Sequence, residues 1–222
     1  AIAVSIGGML SGIFVLPGLA VGITGSSVWL AFLVAALCIL PAVRSKSELG
    51  TAMPKSGGTY VYIERAFGPL FGTIAGIGLW LSLLLKSAFS LVGLSAYLYV
   101  VVNIDEAYTK AIALLALLLI FLLNVFGLKK VEKTQLFIVS TSIISLIVII
   151  ALGLTSFDTK LTEPVFSDGT NGFIAGVAFL YISYAGVTKI AAIAGEITNP
   201  SKNLPLTMIL SLFLITTIYC LF

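Results

Sequence analysis

The sequence predicts an all-α integral membrane protein. Of its 222 residues, 59% are apolar and only 9% are charged, whereas soluble domains are about 25% charged. A water-soluble fold has too little interior to hide that much apolar surface. Two further observations support the prediction: the apolar residues fall into long runs, and two of these runs are interrupted by glycine or proline.

Apolar runs of about 20 residues mark helices that cross a hydrocarbon core roughly 30 Å thick. The first run lacks the basic start and the small-residue cleavage pattern of a signal peptide, so we expect it to remain as a span. The chain begins at Ala1 and is still apolar at Phe222, so we expect it to be a piece of a longer protein. Seven spans are predicted, at about 2–23, 26–43, 69–102, 110–126, 135–154, 172–194 and 204–222.

Basic residues in the loops predict the orientation of the spans, because an excess of Lys and Arg marks the cytoplasmic side. The loops after spans 2, 4 and 6 carry eight of them, and the loops after spans 3 and 5 carry two. We therefore predict a multi-pass protein of the plasma membrane with a cytoplasmic N-terminus. The eight are Arg44, Lys46, Lys55, Arg65, Lys129, Lys130, Lys133 and Lys202, and the two are Lys110 and Lys160.

Composition also argues against several classes of function. The net charge is only +3 and is spread over short loops, so nucleic acid is not an expected partner. The chain has no His, the commonest metal ligand and general base. Cys38 and Cys220 lie in apolar runs without metal-site spacing. We expect neither an enzyme nor a metal site, and partners limited to the lipid bilayer and a small-molecule substrate, with the oligomeric state left open.

The first span is rich in residues that disfavour a continuous helix. A glycine inside a helix costs about 1 kcal/mol relative to alanine. One interpretation is close packing against a neighbouring helix. The other is an unwound stretch at 10–12, where free backbone N–H groups would face an anion such as a carboxylate. The residues concerned are Gly7, Gly8, Gly12, Pro17 and Gly18.

The sixth span carries a weaker interruption at 183–186, where exposed carbonyls would suit an ammonium group or a cation. An aromatic packing cluster is the alternative. Backbone polar groups in lipid must be hydrogen-bonded, so a helix unwinds only where protein or water lines the gap. Paired interruptions are typical of a transporter's binding site. The predicted substrate-binding residues are Gly8, Met9, Leu10, Ser11, Gly12, Ile13, Tyr181, Ser183, Tyr184, Ala185 and Gly186.

Several segments together resemble the amino acid permeases of the amino acid–polyamine–organocation superfamily. They are SGIF at 11–14 with Pro17-Gly18, ELGTAMPKSGGTYVY at 48–62 with Phe67-Gly68, NVFG at 124–127, and YAG at 184–186 followed by GEITNPSKNLP at 195–205. The resemblance implies a leucine-transporter type of fold, in which two inverted five-helix repeats have discontinuous first and sixth helices. It also implies that the substrate carboxylate meets amides of the helix 1 break, while its amino group meets carbonyls of the helix 6 break. Leu10 stands where that family usually has the first glycine of its helix 1 triplet.

On this resemblance, 1–222 is a single transmembrane domain, with the first repeat at 1–154 and the start of the second at 172–222. The implied function is secondary active transport of amino acids by alternating access, through symport or antiport. Two alternatives stay open at this point: a carrier of polyamines or other organic cations, and a non-transporting membrane scaffold.

Four residues inside the predicted spans are candidates for coupling transport to an ion. A lysine at the bilayer centre costs at least about 2.5 kcal/mol, so Lys86 and Lys189 should face protein or water unless their side chains reach the membrane surface. Lys86 could attract an anionic substrate group, or it could bind and release a proton. Some members of the family carry a lysine in helix 5, at a position that falls near Ser142. Here the hydroxyls of Ser142 and Ser145 could ligate sodium, or simply hydrogen-bond between helices. No cofactor is expected beyond a coupling H⁺ or Na⁺.

Overall fold

A computed structural model describes residues 2–10, 12–13, 16–102, 106–125, 128–155 and 169–222. Nine α-helices account for most of these residues, and a 3-10 helix at Ala185–Glu196, called here the 3-10 segment, follows the eighth. The α-helices are α1 Ile2–Leu10, α2 Leu16–Thr24, α3 Val28–Ala52, α4 Thr59–Phe67, α5 Pro69–Val102, α6 Glu106–Val125, α7 Leu128–Thr155, α8 Gly169–Tyr184 and α9 Pro200–Leu221.

The described helices include five stretches that are long and apolar enough to cross a membrane. This number is lower than the seven predicted spans for two reasons. The helices α2 and α3 form one stretch through a short 3-10 turn at Gly25–Ser27, and the apolar part of α6, Lys110–Val125, is shorter than a full span. The five stretches are Leu16–Ala52, Pro69–Tyr99, Lys133–Thr155, Gly169–Glu196 and Pro200–Leu221.

The core lies between α1, α2, α3, α8, the 3-10 segment and α9. Aromatic and long aliphatic side chains such as Tyr184, Met9 and Ile215 are completely enclosed there. The outer helices α5, α6 and α7 instead turn large apolar side chains outward, for example Trp80 and Phe137. Helices that are apolar on their outer faces are suited to lipid rather than to water, which agrees with a membrane protein.

The α3–α4 loop packs against the 3-10 segment. The N–H of Gly57 donates to the carbonyl of Ala192 at 3.0 Å. At Gly58, with φ of 54°, a Cβ would lie 3.1 Å from the Cα of Ala192. Both residues adopt positive φ, which favours glycine, and at Gly58 a neighbouring backbone also leaves little room for a side chain. The loop therefore fixes the position of the 3-10 segment.

Candidate functional site

The helix α1 ends at Leu10, and α2 begins at Leu16. Between them, the N–H of Gly12 donates to the carbonyl of Met9 at 3.0 Å, and the N–H of Ile13 donates to that of Leu10 at 3.1 Å. The predicted site residue Ser11 lies outside the described residues. The two amides are therefore engaged in a turn, and they would have to leave their carbonyls before they could bind a carboxylate.

The backbone changes from α-helical to 3-10 geometry at Ala185, inside the predicted interruption of span 6. Such a stretch inside a longer helix often marks a hinge or a sequence under strain. Ile193 has non-helical angles, with φ of −110° and ψ of 20°, so the segment is also kinked. Of the predicted site residues, Ser183 and Tyr184 are buried here, whereas Tyr181 and Ala185 are exposed.

Gly8 of α1 and Gly186 of the 3-10 segment are in direct backbone contact. A Cβ added to Gly186 would overlap the carbonyl group of Gly8 and would lie 2.6 Å from the amide nitrogen of Met9. A Cβ added to Gly8 would lie 3.2 Å from the Cα of Gly186. The structure thus brings together residues from both predicted interruptions. It leaves no room for a solute between these two glycines, so this conformation is closed at that point.

Ser183 places a hydroxyl beside the turn at the end of α1. Its Oγ lies 3.4 Å from the position that a Cβ on Gly12 would take. The residue is only 1% exposed, and its hydroxyl has no hydrogen-bond partner among the described residues. A buried polar group without a partner costs about 1–3 kcal/mol. This hydroxyl could therefore form a hydrogen bond with a polar group brought next to it.

Both candidate lysines approach Gly8. The Nζ of Lys86, from the middle of α5, donates to the carbonyl of Gly8 at 2.8 Å. The Cδ of Lys189 lies 3.4 Å from the position of a Cβ on Gly8, so both lysines approach the same glycine. Lys86 faces the C-terminal end of α1, where the helix dipole is negative. Its partner is thus a backbone carbonyl rather than a side chain.

Tyr219 of α9 belongs to the same region, although the sequence did not single it out. Its hydroxyl donates to the carbonyl of Met9 at 2.7 Å. Its ring lies 5.4 Å from that of Tyr184 and 4.8 Å from that of Phe32, measured between centroids. The hydroxyl of Tyr184 donates to the carbonyl of Phe32 at 3.2 Å. An aromatic cluster was the alternative interpretation of the span 6 interruption, and one is present beneath the end of α1.

The two serine candidates on α7 lie apart from this contact. Ser142 is half-buried and Ser145 is exposed. Among the described residues, neither hydroxyl is hydrogen-bonded to α1. The helix α7 approaches α1 instead through Val139, whose Cγ2 lies 3.1 Å from the position of a Cβ on Gly7.

A cavity of about 310 Å³ lies between α1, α6 and α7. Its walls are mostly apolar, with polar groups from Asn124, Thr134 and Gln135. Gln135 donates from Nε2 to the carbonyl of Ala3 at 3.4 Å. Its lining residues come from α1, α6 and α7 and include none of the 3-10 segment, so it is separate from the contact between Gly8 and Gly186.

Sequence comparison identifies the family. A profile described as amino acid permease matches residues 1–222. The chain belongs to the amino acid permease family. The resemblance inferred from the motifs is thereby confirmed, and with its apolar helices this permease is a multi-pass membrane protein.

Curated relatives of this permease bear the names of transporters. It is 26% identical to cationic amino acid transporter 7, chloroplastic, of Arabidopsis thaliana, over 99% of this chain and 42% of the relative. It is 28% identical to a serine/threonine exchanger of Bacillus subtilis, over 94% of this chain and 49% of the relative. It is also 28% identical to a cystine/glutamate transporter of Pongo abelii, over 95% of this chain and 45% of the relative. The permease chain thus spans less than half the length of each of these three relatives.

Proposed function

We propose that this chain is part of a secondary transporter that moves amino acids across a membrane by alternating access. One observation carries the proposal: a chain that matches the permease family over its whole length brings the end of α1 into contact with the 3-10 segment at Gly8 and Gly186. Transporters bind their substrates at such helix ends, where backbone groups are left for a solute. The names of the relatives favour amino acids over polyamines or other organic cations.

The proposed substrate site lies between the turn at Gly12 and the junction at Tyr184–Gly186. The substrate carboxylate would take the amides of Gly12 and Ile13, which now close the turn. The substrate amino group would take backbone carbonyls at the junction, and the unpartnered hydroxyl of Ser183 would supply a further hydrogen bond. Because Gly8 and Gly186 touch, the solute enters only after α1 and the 3-10 segment separate.

The wider architecture belongs to the same proposal. Residues 1–154 would form the first repeat of a leucine-transporter type of fold and residues 172–222 would begin the inverted second one. The N-terminus would lie in the cytoplasm of a plasma-membrane protein, as the loop charges predict. Transport would be driven by H⁺ or Na⁺ or by exchange, with Lys86, Lys189, Ser142 and Ser145 as the candidate coupling residues.

Uptake into proteoliposomes tests the proposal. The full-length protein is reconstituted, and uptake of labelled amino acids is measured with a pH gradient, with a sodium gradient, and with internal amino acid for exchange. We expect at least one condition to drive uptake. Zwitterionic amino acids should compete with the label, whereas the corresponding decarboxylated amines should not, because they lack the carboxylate that the amides of Gly12 and Ile13 would bind.

A substitution connects the uptake to the site. In Gly12→Val, the branched side chain would meet Leu16, since even a Cβ there lies 3.1 Å from its Cδ1. We expect uptake to fall to background in this variant. Gly153→Val on the open face of α7 is the control, because no atom lies within 4 Å of a Cβ at that position. Absence of uptake in every condition, or equal competition by amines, would contradict the proposed function.

A further inference from the structure

Two backbone carbonyls near the end of α1, those of Gly8 and Met9, each accept a hydrogen bond from a side chain on a different helix. Lys86 of α5 donates to Gly8 at 2.8 Å, and Tyr219 of α9 donates to Met9 at 2.7 Å. Carbonyls at the C-terminal end of an α-helix can accept hydrogen bonds from outside the helix. In this chain a lysine and a tyrosine distant in sequence donate to two of them, and the carbonyl of Met9 also accepts from the N–H of Gly12 at 3.0 Å. Neither side-chain bond was predicted from the sequence.

We propose that Lys86 and Tyr219 form a clamp that holds the end of α1 against the 3-10 segment and keeps the substrate site closed. Both are positioning residues in this assignment, because they act through the backbone of α1 and not on the solute. The inference rests on the proposed function in one respect: it supposes that the site opens and closes during transport.

The Lys86 bond is suited to holding the helix end in place. Its half-buried ammonium group meets a carbonyl at the negative end of the α1 dipole. Among the described residues, no carboxylate contacts this ammonium group, so the carbonyl of Gly8 is the polar group that compensates it. The Cδ of Lys189 lies 3.4 Å from the position of a Cβ on Gly8, so moving Lys86 off the carbonyl would leave its charge without this partner near a second lysine.

The Tyr219 bond is fixed by packing. The residue is 3% exposed, and its ring lies against those of Phe32 and Tyr184. A ring enclosed in this way cannot turn its hydroxyl toward another partner without disturbing the core. The hydroxyl therefore stays aimed at the carbonyl of Met9. A movement of the end of α1 away from α5 and α9 would break both clamp bonds.

Thiol labelling tests the clamp without relying on transport. The native cysteines are first replaced by Cys38→Ser and Cys220→Ser, and a reporter is introduced as Ser183→Cys beside Gly12. In the closed structure this position is only 1% exposed, so a membrane-permeant maleimide should react slowly with the reconstituted full-length protein. The labelling rate then reports how often the site opens.

The two clamp bonds are removed separately. Tyr219→Phe deletes one hydroxyl and retains the ring packing, and we expect labelling to rise about threefold. Lys86→Met deletes a charge-assisted bond, and we expect a rise of about tenfold or more. Because the phenylalanine variant preserves the packing, the test does not depend on how well the Lys86 variant folds.

Matched controls use residues away from α1. Tyr62→Phe removes a buried tyrosine hydroxyl that has no hydrogen-bond partner among the described residues, and Lys110→Met removes an exposed lysine of α6. Both should label at the rate of the parent. An unchanged rate in Tyr219→Phe and Lys86→Met, or an equal rise in the controls, would overturn the clamp. Failure of the proposed function would instead appear as absent uptake, which is a separate measurement.

Discussion

Two residues without side chains decide how closely the two halves of the candidate site approach. Gly8 and Gly186 bring the backbones of α1 and the 3-10 segment into contact. Small residues allow membrane helices to approach closely, which was one of the two interpretations of the glycines in the first span. At Gly8 this packing interpretation and the binding-site interpretation meet, because the same contact closes the proposed site.

A single methyl group at Gly186 should separate the two backbones. In Gly186→Ala the Cβ would overlap the carbonyl group of Gly8, and backbone atoms cannot turn aside as a flexible side chain can. We expect a free-energy loss of about 1–3 kcal/mol, measured as a lower melting temperature of the detergent-solubilised protein. Gly18→Ala on α2 is the control, since no atom lies within 4 Å of its Cβ position. Equal melting of the two variants would mean that the glycine contact is not tight in solution.

At the scale of elements, the 3-10 segment is held from two directions. On one side it meets α1, and on the other the α3–α4 loop donates from Gly57 to the carbonyl of Ala192. Lys46 of α3 adds a third contact, from its Nζ to the Oγ1 of Thr188 at 3.3 Å. A movement of this segment must therefore either carry the α3–α4 loop with it or break these bonds.

Alanine substitutions at two glycines with positive φ can distinguish the cost of backbone strain from the loss of this loop contact. Gly58, with φ of 54°, and Gly68, with φ of 90°, both disfavour a side chain, and an alanine at either should cost about 1–3 kcal/mol in strain. Only at Gly58 would the new Cβ also press on Ala192, at 3.1 Å from its Cα, whereas Gly68 has nothing within 4 Å. We expect Gly58→Ala to lower the melting temperature more than Gly68→Ala. A larger decrease in melting temperature for Gly68→Ala would show that the α3–α4 loop does not pack tightly against the 3-10 segment.

Hydropathy predicted the positions of the long helices because each apolar run has to cross a membrane. The prediction 69–102 coincides with α5, and 204–222 lies close to α9 at Pro200–Leu221. The helix α7 begins before the predicted 135, at Leu128, because lysines favour a helix while interrupting an apolar run.

The contacts of the site were not predictable in the same way. The partner of Lys86 is a backbone carbonyl, which every residue possesses, so nothing in the sequence distinguishes Gly8 as that partner. Tyr219 lies in an apolar run that gives no sign of which helix its hydroxyl faces. Glycine content did indicate where two backbones approach, because Gly8 and Gly186 were both among the predicted site residues.

At the scale of the whole molecule, the charges of the loops predict which ends of the helices lie in the cytoplasm. The basic residues gather after spans 2, 4 and 6, and the opposite face carries few of them. Under the proposed function, the orientation would decide from which side of the membrane a solute reaches the contact at Gly8.

Single cysteines in the background Cys38→Ser with Cys220→Ser test the orientation in intact cells. Lys55→Cys in the α3–α4 loop and Lys110→Cys at the start of α6 are both exposed positions. A membrane-impermeant maleimide should label Lys110→Cys from outside, and should label Lys55→Cys only after the membrane is permeabilised. The opposite pattern would place the N-terminus outside.

The length of α5 has a consequence for the lipid in which this permease works. Its 34 residues extend for about 51 Å at 1.5 Å each, against a hydrocarbon layer of roughly 30 Å. The helix must therefore tilt or continue into the headgroup region, and the tilt of a helix adjusts to the thickness of the bilayer. Lys86 lies halfway along it and is bonded to Gly8. A change in bilayer thickness that alters the tilt of α5 would therefore be expected to reach the end of α1 through this hydrogen bond.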